Sequence, residues 1–135
     1  MDWKYAKPLT SKELIHAFEV YTDYKLPEDF KACVLNHNGG RPSSKTFDTH
    51  VTTERALKSL LSFNKDDREN IWKVNDWNTQ ELKKRFVAFA IDNFGNLICF
   101  DQKDNSVIFL ETENLQVEKV AKNFTAFLNM LYEPE

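Results

Sequence analysis

The sequence predicts an α+β fold, and three observations carry the prediction. Apolar residues recur at helical spacing near the start of the chain, at Leu14, Ile15, Phe18 and Tyr21, and again towards its end, from Val117 to Leu131. Between them stand two short apolar runs, Phe86–Ile91 and Leu97–Phe100, separated by the turn-forming Asp92-Asn93-Phe94-Gly95-Asn96. The composition supplies a core: 41% hydrophobic and 13% aromatic residues are incompatible with a disordered chain. At 135 residues the chain is expected to form one domain over 1–135, because single cores stop growing only beyond roughly 250 residues.

Taken in order, the first helix is expected over Ser11–Tyr21, with Thr10 and Glu13 at capping-box spacing. A second helix follows over Pro27–His37. Pro27 suits a first helical position, and Glu28 and Asp29 face the positive end of the helix dipole. Its apolar stripe is Phe30, Cys33, Val34 and His37, and Asn38-Gly39-Gly40 ends it by offering a residue that accepts positive φ. Arg41 and Pro42 then lead into loop.

From 42 to 85 the periodicity is weak. Thr46–Thr52 has the β-branched content of a strand, while Glu54–Phe63 fits a helix or an extended run, with strand favoured at Leu60–Phe63. Asn64-Lys65-Asp66-Asp67-Arg68 is a polar break, and Asp66 or Asp67 is placed to cap a short helix carrying Ile71, Trp72 and Val74, closed by Trp77. The hairpin Phe86–Ile91 and Leu97–Phe100 comes next, with Gly95 at the left-handed turn position. Its consecutive apolar residues imply strands covered on both faces. A third strand is expected over Ser106–Leu110, and a last helix over Val117–Leu131 with Val120, Ala121, Phe124, Phe127 and Leu128 on one face.

Charge and cysteine content exclude several function classes. Lys and Arg total 18 against 21 Asp and Glu, a net charge of −3, which argues against a polyanion binder whose affinity comes from neutralising phosphates. The first eight residues show no basic start followed by an apolar run, and the longest apolar stretch, Phe86–Ile91, is far short of the roughly 20 residues a membrane span needs. A soluble cytosolic protein is expected. Cys33 and Cys99 do not make a disulfide framework and read as reduced, buried thiols.

Few constellations offer chemistry. Cys33 and His37 lie four residues apart on one helix, the spacing of half a zinc site or of a thiol beside a base, but no Cys-x-x-Cys or His-Glu-x-x-His completes it. A core thiol and a helix-end histidine are expected instead, with His16 and His50 structural or at the surface. Asn38-Gly39-Gly40-Arg41 leaves a helix rather than entering one, where the dipole repels anions. Asp92, Asp101 and Asp104 read as turn residues, and Lys83-Lys84-Arg85 as a solvated edge. Trp3, Tyr5, Trp77 and Tyr132 fall outside the strong stripes, so one or two of them are candidates for a contact surface. No metal or cofactor is expected.

Several segments in this order resemble the SUKH superfamily, the Smi/Knr-type domains widespread among bacterial toxin-immunity proteins. They are Leu26-Pro27-Glu28-Asp29-Phe30 running into Asn36-His37-Asn38-Gly39-Gly40, the strand pair Phe86–Asp92 and Gly95–Asp101, Val107 on the next strand, and Asn123-Phe124-Thr125-Ala126-Phe127-Leu128 on the last helix. Asn123 departs from the serine that relatives often carry before the last-helix phenylalanine.

The resemblance implies a central, mainly antiparallel sheet of about four to six strands flanked by helices, and a non-catalytic role: binding and neutralising a cognate toxin, often a nuclease. A moderately acidic domain would oppose the basic surface with which a nuclease holds phosphates. Asp66, Asp67, Glu69, Asp76, Asp101 and Asp104 are the candidate residues for that surface. The partner is then a protein toxin rather than nucleic acid or membrane; a monomer and a weak homodimer would carry the same core pattern. A regulatory or scaffolding module of the Smi/Knr type is the alternative, and a small hydrolase using Cys33 or the hairpin acids is a third reading.

Overall fold

The computed structural model describes residues 1–76 and 84–134. Its centre is a five-stranded antiparallel sheet built as a meander, in the order β5 (Ser59–Leu60), β6 (Phe86–Ile91), β7 (Leu97–Asp101), β8 (Val107–Leu110) and β9 (Val117–Ala121). Two short ribbons accompany it: β1 (Trp3–Lys4) with β2 (Arg41–Pro42), and β3 (Thr46–Phe47) with β4 (Arg55–Ala56). The helices are α1 (Glu13–Thr22), α2 (Glu28–His37), α3 (Ile71–Asp76) and α4 (Phe124–Met130). This is the α+β arrangement expected from the sequence, with a sheet of the expected size. Among the described residues no helix is long and apolar enough to cross a membrane.

The hairpin forms as its residues require. Every residue of β6 and β7 is buried, and Gly95 takes φ +84° in the turn between them. Asp92 holds that turn, its Oδ1 accepting from the backbone N–H of Phe94 and of Asn96, both at 2.8 Å. Strand alternation and register put Ile98 and Phe100 of β7 on the same face as Phe109 and Val107 of β8. That face receives the helices. Phe89 and Phe100 stack at 4.2 Å, and Phe30 of α2 meets them edge-on at 5.4 and 5.2 Å. Phe124 of α4 joins at 5.2 Å from Phe30, while Phe127 packs on Phe89 and on Phe47 of β3. Further out, Phe18 of α1 packs on Phe63 and Trp72 at 5.6 and 5.3 Å.

Four local expectations are corrected. Thr10 does not cap α1, because its N–H and hydroxyl both donate to Asn64 Oδ1, at 2.9 and 3.2 Å; Ser11 Oγ instead accepts from Glu13 N–H at 3.2 Å. Pro27 sits just outside α2, with ψ 141°, rather than at its first helical position. Asn70, not Asp66 or Asp67, caps α3: its Oδ1 accepts from Lys73 N–H at 2.8 Å, whereas Asp67 is drawn to Ser62 and Asn64. The proposed long last helix is divided. Residues Val117–Ala121 complete the sheet as β9, and the helix starts only at Phe124, after Asn123 has turned extended at φ −160° and accepted from Ala126 N–H at 2.7 Å. Asparagine and serine are both good N-caps, so the substitution at 123 leaves this role intact. Trp77 and Lys83 lie outside the described residues.

The uncertain stretch before α3 is extended rather than helical, and its end matters for the sheet. β5 covers β6 only at Ala90 and Ile91, after which Leu61 N–H reaches Phe89 O at 2.9 Å. Beyond that no strand among the described residues lies along the edge of β6. Asn75 of α3 takes the missing role: its Oδ1 accepts from Ala88 N–H at 2.9 Å and its Nδ2 donates to Ala88 O at 3.0 Å. This lies beside the bulge between Ala88 and Ala90, where the β6–β7 register shifts. A buried side-chain amide thus matches a backbone donor and acceptor as a strand would.

At the other edge, β9 turns a charge inward. Glu118 is 9% exposed, and its Oε1 accepts from the Thr49 hydroxyl at 2.5 Å and the Thr52 hydroxyl at 3.1 Å. Arg55 Nη2 donates to Glu118 Oε2 at 3.1 Å and to Glu111 Oε1 at 2.6 Å, while its guanidinium lies 4.2 Å from the Phe109 ring centroid. Burial opposes ionisation of Glu118, but the two hydroxyls and the Arg55 charge outweigh it and hold the carboxyl below its ordinary range. An inward charge on an edge strand discourages pairing with another chain.

Two outcomes are expected. Asn75→Ala leaves Ala88 N–H and C=O buried without partners and should lower the unfolding free energy by about 2–3 kcal/mol in denaturant titrations. Glu118→Gln should cost about 1–2 kcal/mol at pH 7, because hydrogen bonds to a charged group are stronger than neutral ones. Since the folded pKa of Glu118 is depressed, its contribution is complete above the unfolded value and fades as pH falls through the folded one. Unfolding curves of the two proteins should therefore converge in acid, and a gap that persists or widens at low pH would contradict this assignment.

Candidate functional site: the outer face of the first helix

The six acids singled out from the sequence fall into two groups. Asp66, Asp67 and Glu69 lie together in the loop before α3. Asp66 is exposed, Asp67 accepts from the Ser62 hydroxyl at 2.5 Å, and Glu69 pairs with Lys58 at 2.9 Å. Asp76, Asp101 and Asp104 are instead gathered around the C-terminal end of α1. The Tyr21 hydroxyl donates to Asp76, and the Tyr24 hydroxyl donates at 2.6 Å to Asn105, in the turn that Asp101 and Asp104 hold. Asp101 lies beneath the surface at 4% exposure. Its Oδ1 accepts from Lys103 N–H at 3.0 Å and its Oδ2 pairs with Arg85 at 3.2 Å. Asp104 is exposed, accepts from Ser106 N–H at 3.0 Å, and has its carboxyl lowered chiefly by hydrogen bonding to Ser106. Burial first, then the charges of Asp101 and Asp104, push the Tyr24 phenol well above its ordinary value.

The end of α1 is built to present side chains outward. Ile15 and Phe18 point into the core, which leaves Val20 on the far side of the helix at 67% exposure and Tyr21 at the edge of the buried face at 53%. Sequence spacing had placed Tyr21 on the buried stripe. The structure puts it at the rim, with its ring against Phe18 and Trp72 and its hydroxyl on Asp76. Asp23 ends the helix at φ +52°, the left-handed conformation that a C-terminal cap requires, and its N–H bonds to the carbonyls of Glu19 and Val20.

Two depressions flank this face and share Asp23. One, of about 420 Å³, is lined among the described residues by Tyr21, Thr22, Asp23, Asn75, Phe86 and Gln102. The other, of about 850 Å³, runs between α1 and α2 along Glu19, Val20, Asp23, Glu28 and Lys31. Lys31 Nζ lies 3.1 Å from both Glu19 Oε2 and Glu28 Oε1, and Glu19 Oε2 also accepts from Leu26 N–H at 2.7 Å, so the helices keep a fixed separation. The result is an exposed valine and tyrosine, with a concave surface on each side and carboxylates at the rim. The two apolar side chains protrude, whereas small-ligand sites enclose theirs.

The groups with reactive potential are placed differently. Cys33 is half-buried, and burial together with Asp29 pushes its thiol up to about 11; Cys99 is fully buried and its thiol is also raised. Neither is an activated nucleophile. His37 stacks on Trp3 at 5.2 Å, and His16 and His50 are exposed. Among the described residues no three His, Cys, Asp or Glu side chains are grouped to hold a metal. The Asn38-Gly39-Gly40 segment is structural. Asn38 is 2% exposed, its Nδ2 donates to Lys7 O and Ser62 Oγ, and its Oδ1 accepts from Phe63 N–H. At Gly40 a Cβ would come within 2.9 Å of His37 O, so no larger residue fits there.

No curated protein matches the chain. The family model described as SMI1-KNR4 cell-wall matches residues 12–128, from the cap of α1 into α4. The chain belongs to the SMI1-KNR4 family, within the SUKH superfamily.

Proposed function

We propose that the chain is a cytoplasmic, non-catalytic immunity protein that binds a cognate polymorphic toxin and neutralises it by occupying its surface. The observation that carries this reading is the outer face of α1, where Val20 and Tyr21 stand exposed between two depressions. Tyrosine is enriched at the energetic centres of protein interfaces, because it brings a large contact area at low entropic cost. Family membership supports the same role, and the raised thiols and turn-bound aspartates leave the hydrolase reading without an activated nucleophile.

The charges around that face give the partner a chemistry. Glu19, Asp23, Glu28 and Asp76 rim it, with Asp104 on the adjacent turn, and Lys25, Lys31 and Lys84 are interspersed. A nuclease domain must hold phosphates on a basic surface, and acids facing that surface would speed association and fix orientation more than they would add affinity. In this reading Asp76 and Asp104 belong to the contact region, Asp101 contributes its field from beneath, and Asp66, Asp67 and Glu69 stand apart.

Co-expression with the toxic domain encoded beside this gene should protect the host cell, and absence of protection would end the immunity reading. Within the complex, Tyr21→Ala should weaken binding by tenfold or more in calorimetry, corresponding to at least about 1.4 kcal/mol. Asp23→Lys should act mainly on the association rate, with the effect shrinking as salt is raised. Tyr21→Ala also gives up the ring contacts with Phe18 and Trp72, so thermal unfolding is recorded beside binding and affinities are compared at a temperature where both variants are folded; unchanged affinity in both would remove the α1 face from the interface.

A further inference from the structure

At the far end of the sheet lies a surface of the opposite sign. Lys4 and Tyr5 from the β1 segment, Arg41 from β2, Lys45, Lys58, and Asn93 from the β6–β7 turn surround a groove of about 480 Å³. Lys58 is paired with Glu69 at 2.9 Å, but Lys4, Arg41 and Lys45 form no ion pair with any described residue, in a chain whose net charge is −3. Glu133 is the one carboxylate among the described lining residues.

Two features run against stability. Lys4 and Arg41 are cross-strand partners in the two-residue β1–β2 ribbon, and like charges placed directly opposite destabilise a strand pair. Tyr5 follows at φ +59°, a left-handed conformation unfavourable for an aromatic residue, and stays 70% exposed with the Arg41 guanidinium 5.3 Å from its ring centroid. A cation pair and a strained exposed aromatic at the mouth of one groove are what a site awaiting an anion would contain.

The form of the groove selects among anions. Its volume lies in the lower part of the roughly 300–1,000 Å³ range of ligand sites, room for a short extended segment rather than a folded surface. Three cations without an ion pair among the described residues, beside a resident carboxylate on an acidic protein, are a weak match for a nucleic acid strand, whose binding relies on neutralising many phosphates. They match two or three carboxylates well. Glu133 already approaches the groove on extended chain, just after Tyr132 pairs antiparallel with Thr46.

We propose that this groove is a second docking site, taking an extended acidic segment of a partner protein, with its Asp or Glu side chains on Lys4, Arg41 and Lys45 and its backbone against Tyr5. The site is separate from the α1 face. Phe86, at the start of β6, lines the depression beside Tyr21, whereas Asn93 follows the end of β6, and six residues of strand put roughly 20 Å between them. Both sites can be occupied at once.

The test needs no toxin. Fluorescein-labelled hexaglutamate is titrated with the full chain and followed by anisotropy, with hexalysine, a six-nucleotide oligothymidylate and inorganic phosphate as comparison probes. Hexaglutamate should bind, more weakly as salt is raised, and better than the oligonucleotide; phosphate should compete poorly. Arg41→Glu and Lys45→Glu should each reduce its binding at least tenfold, and Tyr5→Ala by a few fold, while Tyr21→Ala leaves it unchanged. Because Arg41→Glu also removes the opposed charges, its melting temperature should be equal to or above that of the parent, which separates loss of the site from loss of the fold. Absence of hexaglutamate binding, binding by both charge-reversal variants as tight as that of the parent chain, or tighter binding of the oligonucleotide would overturn the proposal.

Discussion

The architecture depends on one side chain, Phe30. It is fully buried, and its ring touches Phe63 from the segment after β5, Phe89 and Phe100 from the centre of the sheet, and Phe124 from α4. Edge-to-face contacts of this kind add about 0.5–1.5 kcal/mol per pair beyond the burial itself, and they fix orientation as well as proximity. The neighbouring Asp29 extends the constraint to the surface, its Oδ2 accepting from Thr125 N–H at 3.0 Å and from the Thr125 hydroxyl at 2.7 Å. A helix near the start of the chain is thereby locked to one near its end. α1 is fixed at one remove, through Phe18 on Phe63 and through Lys31 on Glu19. The position of Val20 and Tyr21 is a consequence of where Phe30 sits.

The parts of this arrangement legible in the sequence are those in which one local signal dominates. The hairpin could be read because Phe86–Ile91 and Leu97–Phe100 are longer than any competing pattern and Gly95 marks the turn; α2 could be read because its acids, apolar stripe and terminal Asn-Gly agree. Residues 42–63 were opaque because β2, β3, β4 and β5 have two residues each, too few for a period, and owe their extension to neighbours such as Ile91 O and Gly40 O, which accept from Lys58 and Leu60 N–H. The last helix was over-extended for a different reason. Val117, Val120 and Ala121 happen to fall at helical offsets from Phe124 and Leu128, but β8 needs an outer partner, and Asn123 caps more favourably than it continues a helix.

The candidate site was legible in charge but not in place. Of the sequence's candidate acids, Asp76 and Asp104 lie near the end of α1, whereas Asp67 and Glu69 are engaged in holding the loop before α3. Nothing in the sequence separates an aspartate that faces solvent from one that ties down a backbone amide, since both favour turns. Exposure of Tyr21 was equally hidden, because its spacing from Phe18 is that of a core residue, whereas in the fold its ring rests against Phe18 and Trp72 at the surface and stays 53% exposed. Asp23 could have been marked as the helix stop, because a short polar residue between apolar tyrosines is suited to the left-handed cap.

In the proposed reading the protein acts through shape and charge, with both cysteine thiols raised in pKa, the hairpin aspartates engaged in turns, and Val20 and Tyr21 exposed side by side at the end of α1. Hydrogen exchange measured on the complex with the cognate toxic domain tests this most directly, because it maps the contact on the native chain without altering a residue. Amides of Val20 to Tyr24 and of the turn between Asp101 and Ser106 should gain protection on binding, while those around the loop of Asp66 and Asp67 remain unchanged. Protection confined to that loop, or a complex that leaves the end of α1 exchanging as in the free protein, would contradict it.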